Sequence, residues 1–188
     1  MRIQGGELKG RTIEAPKGLA TRPTAARVRE ALFSALLGRL EEARVLDLFC
    51  GSGILGFEAV SRGAKSVVSV ERHRPTAMGV VKNAKSLGIG DRVQVWVEDV
   101  LKIQHRLERE VGEQGGFDLV FMDPPYKEDY EKRLLQGIEW ERVVAPSGRI
   151  VLESSSRLMD RIPEAFGGFV QIGQKKYGET VVTSYEAR

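Results

Sequence analysis

The sequence predicts an α/β protein with a doubly wound, mostly parallel sheet of seven strands that closes on an antiparallel C-terminal strand. Three observations predict this fold. From residue 44 onward, short apolar runs alternate with segments of helical periodicity, which is typical of a parallel sheet covered on both faces. A glycine-rich turn follows the first run, and only a short turn separates the last two runs. A chain of 188 residues is long enough for one sizeable core.

The predicted strands are runs of Val, Ile, Leu and Phe that end at a glycine or at an acidic residue. The first five alternate with helices, so we expect them to be parallel. The last two flank the turn at Tyr177-Gly178 and should form an antiparallel pair. The predicted strands are residues 45–49, 66–70, 93–97, 117–122, 149–153, 170–173 and 180–185.

The predicted helices have apolar residues at spacings of three and four. Gly88 is a typical helix C-terminal residue, and Ala145-Pro146 stops the last predicted helix. The predicted helices are residues 26–37, 55–61, 75–87, 101–111 and 130–144.

The N-terminus predicts a short β-hairpin from residues 2–4 and 11–13, with glycines between them. Residues 1–29 contain seven Lys and Arg against two Glu, whereas the whole chain has a net charge of +3, so the remainder is slightly acidic. A basic arm on an acidic body suggests a polyanionic partner, although a solvated basic tail explains the charge equally well. We therefore divide the chain into an arm, residues 1–24, and one domain, residues 25–188.

The composition argues against several classes of protein. No apolar run approaches the ~20 residues of a membrane span, and the N-terminus lacks a signal-peptide core, so we expect a cytoplasmic protein. Cys50 is the sole cysteine, which rules out an internal disulfide. His73 and His105 do not have metal-ligand spacing, and we expect no metal site.

A glycine loop between the first strand and its helix predicts a ligand site. Gly51, Gly53 and Gly56 satisfy G-x-G-x-x-G, which allows a tight turn and close approach of the backbone to a ligand. This motif alone also occurs in dinucleotide enzymes and in plain structural turns. Phe49 and Ser52 lie within the loop and are further candidates for ligand contact.

Acidic residues at three successive strand ends narrow the choice of ligand. Glu71 is suited to accept hydrogen bonds from both ribose hydroxyls, and Asp99 from an adenine amino group. Asp47 favours a ligand with positive charge, such as S-adenosylmethionine, because a carboxylate repels a pyrophosphate. With their neighbours Arg72 and Val100, these acids complete the predicted S-adenosylmethionine site.

The motif Asp123-Pro124-Pro125-Tyr126 directly follows the fourth strand and predicts the reaction. The two prolines stiffen the turn and leave carbonyls without competing N–H groups. Asp123 and a proline carbonyl could accept both N–H groups of an exocyclic amine and so localise its lone pair for attack on a methyl group. The ring of Tyr126 offers a surface on which a base can stack.

These motifs together resemble the bacterial 16S ribosomal RNA guanine-N2 methyltransferases of the RsmD type, which are Rossmann-like class I methyltransferases. The resemblance spans nearly the whole chain, with Glu179 standing where the family pattern leads us to expect Asp. The matching stretches are Gly5-Gly6 with Lys9-Gly10-Arg11, Arg22-Pro23-Thr24 with residues 28–33, residues 47–59, Ser61-Arg62-Gly63-Ala64, Asp123-Pro124-Pro125-Tyr126, and Tyr177-Gly178-Glu179-Thr180.

The resemblance implies methyl transfer from S-adenosylmethionine to N2 of one guanine in 16S rRNA, met within the small subunit or an assembly intermediate. It also implies that the N-terminal hairpin holds RNA, with Arg2, Lys9, Arg11 and Arg22 contacting phosphates. We expect the chain to act as a monomer.

Other functions remain open from the sequence. A DNA adenine-N6 methyltransferase can share the motif order, although it usually needs a larger target-reading domain. A protein glutamine methyltransferase typically has Asn where this chain has Asp123. A catalytically silent RNA-binding assembly factor is a third alternative. An NAD-dependent oxidoreductase would explain the glycine loop but not the Asp-Pro-Pro-Tyr motif.

Overall fold

The computed structural model describes residues 1–16, 23–125 and 130–188, with the side chains of residues 23–25 outside the description. Within these ranges the strands form one mixed sheet, so the predicted α/β class is confirmed. The strands are β1 (Arg44–Leu48), β2 (Ser66–Val70), β3 (Val93–Trp96), β4 (Phe117–Met122), β5 (Val144–Ser155), β6 (Ala165–Phe166), β7 (Phe169–Tyr177) and β8 (Thr180–Ala187).

The strand order is β3-β2-β1-β4-β5-β8-β7-β6. Strands β1 to β5 are parallel, and their C-terminal ends meet at one side of the sheet, here named the carboxyl edge. The opposite side is named the amino edge. Because β1 lies between β2 and β4, the chain reverses direction across the sheet at β1, which is where open α/β sheets bind ligands.

Helices cover both faces of the sheet, as the doubly wound prediction requires. The α-helices are α1 (Pro23–Ala35), α2 (Ile54–Ser61), α3 (Arg74–Leu87), α4 (Gln104–Gln114), α5 (Tyr130–Gly137) and α6 (Trp140–Val143). Short 3-10 helices cover Val100–Lys102 and Ser156–Arg161. One core cluster lies under α1, α2 and α3, and a second lies under α4, α5 and α6.

The predicted count of seven strands is wrong, because the described residues contain eight. The added strand, β6, has two residues and pairs only with β7, so it has too little sequence to show a pattern. The antiparallel part of the sheet therefore contains β6, β7 and β8 rather than a single pair.

The predicted helix over residues 130–144 is also wrong in its second half. Helix α5 ends at Gly137, and α6 is one turn that leads directly into β5. Pro146 does not delimit β5 but lies inside it. The register between β4 and β5 shifts between Phe117 and Leu119, and the resulting irregularity accommodates the proline and Ser147, whose φ is 65°.

The predicted N-terminal hairpin is present and packs tightly on the helices. A single antiparallel bridge joins Arg2 to Thr12. Ile3 and Ile13 are nearly fully buried in the core beneath α1, α2 and α3. The backbone N–H of Gln4 donates to a carboxylate oxygen of Glu58 in α2 at 2.8 Å. The hairpin is thus integrated into the core.

No helix in residues 1–16, 23–125 or 130–188 combines the length and the hydropathy that a membrane-spanning helix needs.

Candidate active site

The glycine loop has the tight turn that its sequence predicts. Gly53, the residue before α2, has a φ of 76°, and a Cβ added there would lie 2.8 Å from the Val80 side chain. Phe49 also adopts a left-handed φ of 60°, which is uncommon for a residue with a side chain. The backbone N–H of Cys50 donates to the carbonyl of Val70 at 3.0 Å. This bond ties the loop to the end of β2.

Asp47 lies beneath this loop rather than on its surface. Its side chain is buried, and one carboxylate oxygen accepts the backbone N–H of Gly56 at 3.2 Å. Burial raises the pKa of Asp47 to about 7; the Gly56 hydrogen bond lowers this pKa, and the nearby Glu71 charge raises it. Asp47 therefore anchors α2 and places acidic character directly under the loop.

A cavity opens beside the loop and the end of β2. It has a volume of about 350 Å³, and its lining includes Ser52, His73, Thr76 and Pro16. The Nδ1 atom of His73 lies 2.8 Å from the hydroxyl of Thr76 at the start of α3. This volume lies at the lower end of the range for small-molecule pockets, so the cavity can hold part of a ligand that crosses the loop.

The predicted acids at the next strand ends lie at the carboxyl edge. Glu71 is half-buried, and its carboxylate accepts the backbone N–H of His73 at 2.8 Å. Arg72 is exposed beside it. Asp99 is also half-buried and accepts the backbone N–H of Leu101 at 3.0 Å, next to the buried Val100. A carboxylate can accept several hydrogen bonds, so both acids retain acceptor capacity for a ligand.

The Asp-Pro-Pro segment lies next to the glycine loop. β1 and β4 are neighbours, with Leu48 opposite Met122, so Asp123 follows β4 where the loop leaves β1. Its backbone N–H points to the carbonyl of Leu48 at 3.5 Å. Pro124 is buried and Pro125 is exposed, whereas Tyr126 lies outside the described residues. The structure therefore brings Asp123 and the glycine loop together.

Burial raises the pKa of Asp123 well above its ordinary value, and the nearby charges of Glu153 and Asp47 raise it further. Carboxyl groups are thus concentrated between β1, β4 and β5. Within the described ranges, no Lys or Arg forms an ion pair with Asp47 or Asp123. Nor do the described His, Cys, Asp and Glu residues form a cluster of three or more that could hold a metal ion.

Glu153 is a candidate site residue that the sequence analysis did not identify. It lies in β5 and, with Asp123, lines a small cavity walled by Leu32 and Leu55. The available signal was the one used for the other acids, a carboxylate near the end of an apolar strand. Burial raises the pKa of the Cys50 thiol well above the ordinary value, which disfavours the nucleophilic thiolate form.

The predicted RNA contacts on the arm lie far from this site. Arg2, Lys9 and Arg11 are exposed, and Arg11 donates to the carbonyl of Ser86 in the last turn of α3. Since α3 runs from the carboxyl edge back to the amino edge over 14 residues, this turn is ~20 Å from the site. Arg22 lies outside the described residues.

Other exposed cations surround the carboxyl edge, where the sequence analysis assigned no RNA contact. They share a position at or just after the C-terminal ends of the strands, or at the start of the following helix. These residues are Arg74, Lys102, Lys132, Arg133 and Arg157.

Comparison with other proteins identifies the family. A family model described as "Conserved hypothetical protein 95" matches residues 1–186. YlbH of Bacillus subtilis, named provisionally as an rRNA methyltransferase, is 36% identical over 189 aligned residues, which cover 100% of both chains. Ribosomal RNA small subunit methyltransferase D of Escherichia coli K12 is 32% identical over 155 residues, which cover 82% of this chain and 74% of the relative.

Solved structures of methyltransferases have the same fold as this chain. The Escherichia coli protein yhhF, titled provisionally as a methyltransferase, has a TM-score of 0.83 at 30% identity and covers 100% of this chain and 98% of its own. A ribosomal protein L11 methylase of Lactobacillus delbrueckii shares the fold, with a TM-score of 0.72 at 17% identity, covering 96% of this chain and 87% of its own. With these matches along nearly its whole length, the chain belongs to the RsmD family of class I S-adenosylmethionine-dependent methyltransferases.

Proposed function

We propose that this protein transfers a methyl group from S-adenosylmethionine to the exocyclic N2 amine of a guanine in 16S rRNA. The names of its relatives support methyl transfer to small-subunit rRNA. The observation that carries the proposal is the position of Asp123 beside the glycine loop, at the junction of β1 and β4.

The charges of the site fit this cofactor. S-adenosylmethionine supplies an electrophilic methyl group on a positively charged sulfonium and carries a second positive charge on its amino group. Asp47, Glu71 and Asp123 all lie near the loop; the charge of Glu71 raises the pKa of Asp47, and the charge of Asp47 raises the pKa of Asp123. A cation bound there would offset this repulsion, whereas a pyrophosphate would add to it. We assign the loop and Glu71 to cofactor binding, with Asp99 as the acceptor for the adenine.

The residues of the motif prepare the amine. Its nitrogen is a weak nucleophile because its lone pair is delocalised into the ring. Asp123 accepts one N–H and a proline carbonyl of the same turn accepts the other, which localises the lone pair. After the new nitrogen–carbon bond forms, Asp123 holds the proton that the nitrogen releases. The raised pKa of Asp123 suits this role, because a carboxylate with a raised pKa accepts a proton more readily.

The exposed cations support an RNA substrate that covers a large surface. Those at the carboxyl edge would guide the target base to the site, and the hairpin residues Arg2, Lys9 and Arg11 would contact RNA farther away. An assembled or partly assembled small subunit offers such a surface more readily than a short RNA. Stacking of the flipped base on Tyr126 is part of the proposal.

The test is methyl transfer from labelled S-adenosylmethionine to small subunits that lack the modification, followed by digestion to nucleosides. The expected product is N2-methylguanosine. Asp123→Asn should lower the rate about 10²–10³-fold. It should leave cofactor affinity within a few-fold, because Asn keeps the shape of the side chain and Asp47 and Glu71 remain beside the loop. Asp91→Asn, at an exposed position, is the matched control.

N6-methyladenosine as the product would replace this proposal with the adenine-N6 alternative. Saturable cofactor binding without turnover on any subunit preparation would favour the silent assembly factor. A wild-type rate for Asp123→Asn would remove Asp123 from the mechanism.

A further inference from the structure

The pairing of β4 with β5 places a second carboxylate beside Asp123. Phe121 is opposite Val151 and Met122 is opposite Leu152, so the next pair in this register is Asp123 and Glu153. Side chains alternate between the two faces of a strand, and residues opposite each other in parallel strands face the same way. Asp123 and Glu153 therefore share the face of the sheet that α1 and α2 cover.

The cavity that the two acids line supports this arrangement. Phe121 and Val151, the preceding residue pair on the same face of the sheet, also line this cavity. Leu32 and Leu55 close it from the helices. Its volume is about 10 Å³, which is space for roughly one water molecule. A base must then lie at the mouth of the cavity, beside Asp123 and Glu153, which are both half-buried.

The hydrogen-bonding edge of guanine matches two adjacent acceptors. Guanine presents an N1–H donor directly beside its N2 amine, so both neighbouring groups donate. Adenine presents an amine beside N1, which is an acceptor. A second carboxylate next to Asp123 would satisfy the guanine edge and would repel the adenine lone pair, leaving buried polar groups unpaired.

We infer that Glu153 is a specificity-determining residue that accepts a hydrogen bond from N1–H of the target guanine while Asp123 accepts one from the N2 amine. This inference rests on the proposed function. The proximity of the two charges is also visible in Asp123, whose pKa Glu153 raises. Two N–H donors from one base edge would relieve that repulsion, because guanine offers one donor to each of the two carboxylates.

The experiment compares guanine with 2-aminopurine, which keeps the N2 amine but has an acceptor at N1. Small subunits are reconstituted with RNA carrying either base at the methylated position, once nucleoside mapping has located it. Wild-type protein should methylate guanine about 100-fold faster than 2-aminopurine, because one donor to a carboxylate is replaced by a lone pair. Glu153→Gln should bring this ratio to within about fivefold of unity, since its amide can rotate to donate to N1.

Three further readouts separate specificity from structure. Cofactor affinity and the melting temperature should change little in Glu153→Gln, and Glu164→Gln, at an exposed position, should keep the wild-type base ratio. A Glu153→Gln protein that keeps the wild-type preference for guanine over 2-aminopurine would overturn the inference and leave the proposed function intact. Absence of N2-methylguanosine with wild-type protein would instead refute the proposed function.

Discussion

Buried carboxylates occur in two regions of this protein and have opposite surroundings. In the middle of α2, the Glu58 carboxylate accepts from Nε of Arg29 at 3.1 Å, from the Arg62 guanidinium, and from the Gln4 backbone N–H. At the carboxyl edge, Asp47 accepts only a backbone N–H, and no Lys or Arg of the described ranges forms an ion pair with it. Both side chains are almost completely buried.

The difference separates a structural charge from one that we propose to be functional. Glu58 is neutralised by Arg29 of α1 and by Arg62, the residue that follows α2, and it joins the N-terminal hairpin to both helices. Asp47 and Asp123 remain uncompensated by cations in the described part of the chain, and their pKa values rise. Uncompensated acids are costly in a folded protein, and their concentration at one edge is typical of a site that binds a cation.

The largest expected effect tests the structural half of this comparison. Glu58→Gln leaves Arg29 and Arg62 without their anionic partner in a buried setting, so we expect the free energy of unfolding to fall by about 3–5 kcal/mol. Denaturant unfolding measures this loss. Hydrogen exchange at Ile3 and Ile13 should also accelerate, because Glu58 holds the hairpin.

Glu30→Gln, on the exposed side of α1, is the matched control and should change stability by less than about 0.5 kcal/mol. A loss below 1 kcal/mol for Glu58→Gln would show that the two arginines do not need this carboxylate.

A smaller effect tests the functional half through the pH dependence of stability. The pKa of Asp47 rises from 3.8 to about 7 on folding, so the folded state favours the protonated carboxyl. Stability should therefore fall as pH rises from about 4 to 7. Asp47→Asn removes this penalty, and its stability relative to wild type should improve by about 2–3 kcal/mol between pH 5 and pH 8 without cofactor.

Urea unfolding of both proteins at the two pH values measures this change. Asp91→Asn, which alters an exposed acid, should show no such trend. A difference between Asp47→Asn and wild type that does not vary with pH would mean that the pKa of Asp47 is the same in the folded and unfolded states.

The smallest effect concerns the surface cations around the two regions. Arg133→Glu at the carboxyl edge and Lys9→Glu on the hairpin each remove one potential phosphate contact. For each residue that contacts RNA, the slope of log K against log salt should become shallower by about 0.7–0.9. Salt titration of binding to small subunits measures it.

If only Arg133→Glu alters the slope, RNA contacts the carboxyl edge alone and the role proposed for the hairpin is wrong. Equal changes for both variants would indicate a footprint that spans the protein from one edge to the other. Glu42→Gln serves as the reference for the salt slope, because it changes an exposed side chain without reversing a charge.

Much of the fold could be predicted because its signals are local. The apolar runs of β1 to β4 and the turn glycine at residue 88 lie where the pattern places them. The helix over residues 130–144 could not be predicted correctly, because Val144 pairs with Phe117 and tertiary pairing overrides helical periodicity. Two-residue β6 likewise exists only through its partner β7.

The sequence by itself determined the alternation of strands and helices, the glycine loop, and the acids that follow individual strands, because each is encoded within a few consecutive residues. Only the tertiary structure decided which of these groups meet. Glu153 reaches Asp123 through the register of β4 with β5, and Glu58 meets Arg29 through the packing of α1 on α2. The crossover direction of α3 placed Arg11 at the amino edge, because a helix between parallel strands must return to the opposite side of the sheet.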